Sequence, residues 1–191
     1  MPSYIPLTAG DLDNWVTGSA RSYAASGVTA GQRVVTTYNA GPFVAGAALD
    51  AFERIGVSHI PVGTGNTERL MLAVDLLKPE AAVVTPSYAA YLAEWAAERD
   101  FDLRGSSVTR VLVAGEPGGG EPAFRAQLQD GWGARVFEAM GIGDIGVSLW
   151  GECEEQDGMH LGAPALLEER AEGRLAAAGL SRNENAPHAR A

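Results

Sequence analysis

Short apolar runs alternate along the chain with stretches whose apolar residues recur at three and four positions. Leu12, Trp15, Val16, Ser19, Ala20 and Tyr23 recur at helical spacing behind Thr8-Ala9-Gly10-Asp11, a capping box with Asp in its acidic place, and Gly27 stops the helix. Gln32 to Thr37 is a β-branched run and reads as a strand. A second helix carries Val44, Ala47, Ala48, Ala51, Phe52 and Ile55 on one face and closes at Gly56. Val57 to Val62 is the second strand. Asn66 or Thr67 caps a third helix whose stripe is Leu70, Ala73, Val74 and Leu77, ended by Lys78-Pro79. Ala81 to Val84 is the third strand, and Thr85-Pro86 starts a fourth helix with a threonine cap and proline in its first turn. Tyr88, Tyr91, Leu92, Trp95 and Ala96 make that helix's predicted buried side. Val108 to Val113 is the fourth strand, and Pro122 opens a fifth helix bearing Phe124 and Leu128. Val136-Phe137 marks the fifth strand, expected to break into a glycine turn over Met140 to Gly146.

Strand and helix periods that alternate in this way need crossover connections. The predicted fold class is therefore α/β, a parallel sheet with alternating helices in right-handed units. Residues 1–161 read as one such domain. Residues 162–191 are rich in Ala, Glu and Arg and read as a divergent tail, with a surface helix over Glu168 to Leu180 and a disordered end.

The charge balance narrows the partners. With 24 Asp and Glu against 14 Lys and Arg, a formal net charge of −10 argues against binding nucleic acid or an anionic membrane surface. No apolar run approaches a membrane span, the first residues lack the pattern of a signal peptide, and a single cysteine, Cys153, excludes an internal disulfide framework. A cytoplasmic protein is expected.

In a parallel sheet the carboxyl ends of all strands lie on one edge, where ligands bind. The predicted loops at that edge are Tyr38 to Pro42, Gly63 to Asn66, Thr85 to Tyr88, Ala114 to Gly120 and Met140 to Gly146, and they hold most of the loop glycines. A crevice for a small molecule, a nucleotide among the candidates, is the expectation. Gly63-Thr64-Gly65-Asn66-Thr67 could hold an anion at a helix start or be a plain turn; it lacks the Lys-Ser/Thr ending of a Walker loop. Glu116-Pro117 offers backbone groups to an adenine edge. Asp144, enclosed by Gly141, Gly143 and Gly146, could hold a metal bound to phosphate. Cys153 and His160, among Glu152, Glu154, Glu155 and Asp157, are either part of a metal site or a buried thiol and a surface histidine.

Five motifs appear in a telling order. They are Asp11-Leu12-Asp13-Asn14-Trp15, Gly65-Asn66-Thr67-Glu68-Arg69, Thr85-Pro86-Ser87-Tyr88, Gly115-Glu116-Pro117 and Glu152-Cys153-Glu154-Glu155-Gln156-Asp157-Gly158-Met159-His160. As a set they resemble the phenylacetate–CoA ligase branch of the AMP-forming acyl-CoA synthetases, over the central part of a family member. The resemblance implies part of the N-terminal domain of an adenylate-forming enzyme. It also implies a two-step reaction: a carboxylic acid attacks the α-phosphate of ATP to give an acyl-adenylate and pyrophosphate, and coenzyme A then displaces AMP. It assigns Gly115, Glu116, Pro117, Glu138, Ala139, Met140, Gly141 and Gly143 to the nucleotide, Asp144 to catalysis and Mg2+, and Tyr38, Ala40, Phe43 and Tyr88 to the acid.

Departures from the family accompany the match. Met140-Gly141-Ile142-Gly143-Asp144 stands where the family commonly reads Tyr-Gly-Leu-Ser-Glu, and Ala40 replaces a usual aromatic of the acid pocket, so an acid other than phenylacetate is expected. The family's phosphate loop would end just before Pro2, and its ribose-binding aspartate and C-terminal lysine domain find no match. Little or no ligase activity is therefore expected of this chain alone. A catalytically inactive remnant that only binds nucleotide or acid is the alternative. A second copy or a separately encoded fragment is the expected protein partner, and apolar surface left uncovered is expected to favour self-association.

Overall fold

The computed structural model describes residues 6–38, 45–142 and 146–162. The elements run α1 (Ala9–Ala25), β1 (Arg33–Thr36), α2 (Gly46–Ile55), β2 (Ser58–Pro61), α3 (Thr67–Leu77), β3 (Ala81–Val84), α4 (Pro86–Glu98), β4 (Arg110–Val113), α5 (Pro122–Trp132), β5 (Arg135–Ile142), β6 (Gly146–Glu152) and β7 (Met159–Leu161). One sheet joins the strands in the order β2-β1-β3-β4-β5-β6-β7. β1 to β5 are parallel, as the alternation predicts, and the strand order reverses between β1 and β3.

The helix starts follow from local chemistry. Thr8 Oγ1 accepts the Asp11 N–H at 3.1 Å while Asp11 Oδ2 accepts the Thr8 N–H at 3.0 Å, closing the capping box. Asn66 caps α3 through the Arg69 N–H, and Thr85 caps α4 ahead of Pro86. Gly56 closes α2 with φ +82°.

The parallel strands are apolar throughout, yet their alternation still sorts the core into two layers. Val34, Ala81, Val83, Leu112 and Phe137 face α1 and α2, where Val16, Tyr23, Leu49 and Phe52 pack. Val35, Ala82, Val84, Val111, Val113 and Val136 face the other helices, whose Leu70, Val74, Leu92, Leu128 and Trp132 are buried there. Glu138 is two residues beyond Val136 and so lies on the α5 side.

The sheet departs from the expectation at its far end. β6 and β7 extend it antiparallel, and Met140 to Ile142 belong to β5 rather than to a turn. The physical reason is the run Val147-Ser148-Leu149-Trp150, which folds back as a hairpin and supplies β5 with a second hydrogen-bonding partner. α1 locks this extension down. Trp15 Nε1 and Ser19 Oγ both donate to the Val147 carbonyl, and Tyr23 Oη meets Ser148 Oγ at 2.9 Å. Burial pushes the Tyr23 phenol up to about 12, against the Ser148 hydrogen bond.

Two smaller differences concern exposure and range. Tyr91, predicted on the buried side of α4, is 48% exposed, because Ala89, Leu92 and Ala96 make the contact face. The predicted tail helix, like Ala40, Phe43, Gly143 and Asp144, lies outside the described residues. No helix among the described residues is long and apolar enough to cross a membrane.

Candidate functional site

Hydrogen bonds tie four of the carboxyl-edge exits to one another. Tyr38, just beyond β1, donates its hydroxyl to the Ala114 carbonyl at 2.7 Å, with the Val84 carbonyl at 3.2 Å. Burial, aided by the neighbouring Tyr23 and Glu116, holds that phenol well above its ordinary range, so it stays a donor. Thr67 Oγ1 and Tyr88 Oη meet at 2.8 Å, joining the exit of β2 to that of β3. Ser87 donates to Glu116 Oε1 at 2.6 Å, joining β3 to β4. The Ser87 bond, then Thr85, hold the Glu116 carboxyl below the usual carboxylate range, so it stays charged at the start of α4.

Beyond this network the sheet opens. Val113↔Glu138 is the last β4–β5 pair, so β5 runs on through Ala139 to Ile142 with no β4 residue beside it. The facing wall is the turn after β4, where Gly115 adopts φ +95°, a conformation that glycine takes without strain. A cleft of about 520 Å3 lies between them, lined on one side by Gly115, Glu116, Pro117 and Gly118 and on the other by Glu138, Ala139, Met140 and Gly141. The two segments expected around a nucleotide thus share one rim. Met140 is 45% exposed there.

Gly141 has a structural reason of its own. A Cβ on it would lie 2.5 Å from the Gly146 carbonyl oxygen and from Val147 Cα, so the hairpin itself demands glycine.

Behind the cleft lies a charged cluster that the spacing of residues does not announce. Arg125 of α5 donates through Nη2 to Glu152 Oε1 at 2.6 Å and through Nε to the Gly119 carbonyl at 3.0 Å. Glu152 Oε2 accepts the Glu138 N–H at 2.7 Å. Desolvation, then the Glu152 charge, push the Glu138 carboxyl above the usual carboxylate range, opposed by Arg125 and a Gly120 backbone hydrogen bond. The sequence carried two hints. One was a glutamate at the end of an apolar strand; the other was the Gly118-Gly119-Gly120 run, where a Cβ on Gly119 would lie 2.4 Å from Val113 Cγ2.

Among the described residues no three His, Cys, Asp or Glu side chains gather to hold a metal. Cys153 is half-buried at the end of β6, and His160 is exposed on β7. Glu154 of the same segment ion-pairs instead with Arg110 and Arg135.

The sheet and its cleft define a class, the α/β fold of the adenylate-forming CoA ligases, of which this chain has a part. A 2-hydroxyisobutyryl-CoA ligase solved with 2-HIB-AMP and CoA matches it at a TM-score of 0.78 and 26% identity, over 85% of this chain and 35% of that one. A long-chain-fatty-acid-CoA ligase from Archaeoglobus fulgidus shares the fold, with a TM-score of 0.60 at 15% identity over 75% of this chain and 32% of that one.

Within that class the chain is related to the phenylacetate–CoA ligases. It is 33% identical over 174 residues to the phenylacetate-coenzyme A ligase of Thermus thermophilus, covering 88% of this chain and 38% of that enzyme. Against the Escherichia coli enzyme of that name it is 30% identical over 160 residues, 81% of this chain and 36% of the other. The chain therefore spans little more than a third of these relatives' length. No protein-family model matches it.

Proposed function

We propose that this chain is the nucleotide- and acid-binding part of an AMP-forming carboxylate–CoA ligase. On this reading an aryl or other carboxylic acid is activated by ATP as its acyl-adenylate, with loss of pyrophosphate, and coenzyme A takes the acyl group as a thioester. The observation that carries the reading is the cleft between the Gly115 turn and the edge of β5 beyond β4. Its volume suits a nucleotide base and sugar. Backbone groups on a strand edge without a neighbour strand can meet the hydrogen-bonding edge of adenine, and the bare glycine turn lets the ring approach.

Gly115, Glu116 and Pro117 then form one side of the adenine site, and Glu138, Ala139, Met140 and Gly141 the other. Gly143 is assigned to the nucleotide and Asp144 to catalysis as the acid that would hold Mg2+, which would supply charge screening at the phosphates. Tyr38, Ala40, Phe43 and Tyr88 shape the acid pocket. The reaction is cytoplasmic on this reading.

Titration calorimetry with ATP and Mg2+, with and without phenylacetate or 2-hydroxyisobutyrate, is the test. Heat with ATP that grows when an acid is added supports the reading, and pyrophosphate release extends it to catalysis. No heat under either condition overturns it.

A further inference from the structure

Arg125 and Glu152 have side chains only 12% and 7% exposed. Burying an ion pair is costly, and apolar residues of similar volume commonly stabilise a core as well or better. Stability alone is thus a poor account of this pair, and its connections suggest another. The hydrogen bonds run without a break from the Gly119 carbonyl to Arg125 Nε, from Arg125 Nη2 to Glu152, and from Glu152 to the Glu138 N–H. Gly119 follows the turn that forms one wall of the cleft, and Glu138 is where β5 leaves β4 to become the other.

Resting on the nucleotide reading above, we propose that Arg125 and Glu152 are positioning residues: a buried clamp that fixes the gap between the two walls, so that a nucleotide meets a preformed slot. Neither side chain lines the cleft itself. They open onto a separate hollow of about 470 Å3 on the far side of Glu138, with Gln129, Gln156 and Met159. Their action is through the backbone of the walls. Arginine suits the task because its planar fork serves two acceptors at once in fixed directions. Lysine keeps the charge but not the fork.

The test uses AMP as the probe, with affinity by calorimetry and melting temperature measured together on the full chain. The variants are Arg125→Met, Arg125→Lys, Glu152→Gln and, as a control, Glu154→Gln, whose carboxylate joins Arg110 and Arg135 on the surface away from the cleft. Misplacement of a binding wall by about 1 Å has large effects on a site, so Arg125→Met and Glu152→Gln are expected to weaken AMP on the order of tenfold or more. Arg125→Lys should recover part of that loss, and Glu154→Gln should bind like the parent. If Arg125→Met and Glu152→Gln melt earlier but bind AMP like the parent, the clamp is overturned and the pair is structural. Equal weakening by Glu154→Gln and Glu152→Gln overturns it too, as general loosening. A parent chain that does not bind AMP overturns the nucleotide reading, and the clamp with it.

Discussion

The Tyr38 hydroxyl and the Ala114 carbonyl, 76 residues apart in the chain, meet at 2.7 Å. Through this bond the exit of β1 reaches across β3 to the exit of β4 and supports the turn at Gly115. The Val84 carbonyl already takes the Ala114 N–H, so Ala114 is the acceptor that depends on Tyr38. Tyr38→Phe leaves that carbonyl without its donor at a largely buried position. A loss of about 1–2 kcal/mol in urea unfolding is expected, together with weaker nucleotide binding as the Gly115 wall loosens. Unchanged stability would mean that water replaces the hydroxyl freely.

Gly141 tests whether glycines near the cleft serve the fold or the ligand. The atoms that an added Cβ would strike are backbone atoms of Gly146, Val147 and Ser148, which cannot swing aside. Gly141→Ala must pry β6 from β5, and overpacking of this kind costs about 1–3 kcal/mol or more. Thermal melting without any ligand should show the loss. A ligand-only role predicts an unchanged melting temperature and altered nucleotide affinity.

These two residues mark what the sequence could and could not show. The five parallel strands and the caps at Thr8, Asn66 and Thr85 are legible, because periodicity and capping are local, whereas of the glycine turns expected at one edge Met140 to Ile142 is strand instead. The rest depended on contacts distant in sequence. β6 is not legible, because Val147 to Trp150 is short and its partner strand reads from the sequence as ending before Met140. Gly141 reads from the sequence as part of a glycine turn, and the resemblance assigns it to the nucleotide, whereas the hairpin itself already requires glycine there. Glu152 was legible as an acidic residue in a cluster; only the fold sets it opposite Glu138 and beneath Arg125. The roles proposed for Met140 and its neighbours came from resemblance, and the structure adds that they share a rim.

Trp132 anchors the layer beneath the site. It is fully buried at the end of α5, and its indole N–H donates to the Ala89 carbonyl of α4 at 2.9 Å. The two helices cross so closely that a Cβ on Gly131 would lie 2.7 Å from the Ala93 methyl. Trp132→Phe removes a donor and leaves a void, together worth about 1–3 kcal/mol. The urea midpoint should fall with the slope unchanged. A slope change would instead indicate that α5 detaches separately.

Glu138 gives the protein a pH signature that can be isolated. Its carboxyl lies above the usual range because of desolvation and then the Glu152 charge, with Arg125 and a Gly120 backbone hydrogen bond opposing. Between the ordinary carboxylate value and the raised one, the folded chain holds more protons here than the unfolded chain. Stability from this group is therefore fully present at low pH and falls as pH rises through the raised value. At neutral pH its charge is a burden on the fold. Glu138→Gln removes that burden and keeps an oxygen to accept the Gly120 hydrogen bond, while Arg125 and Glu152 remain paired. The melting temperature of Glu138→Gln relative to the parent should thus rise as the pH climbs from the ordinary carboxylate range through the raised value, and level off above it. Titrating groups that do not interact with Glu138 are common to both chains and cancel in the difference, which leaves Glu138 and its coupling to Glu152. A difference that stays flat across this range would show that Glu138 titrates like a surface acid, with neither burial nor Glu152 acting on it.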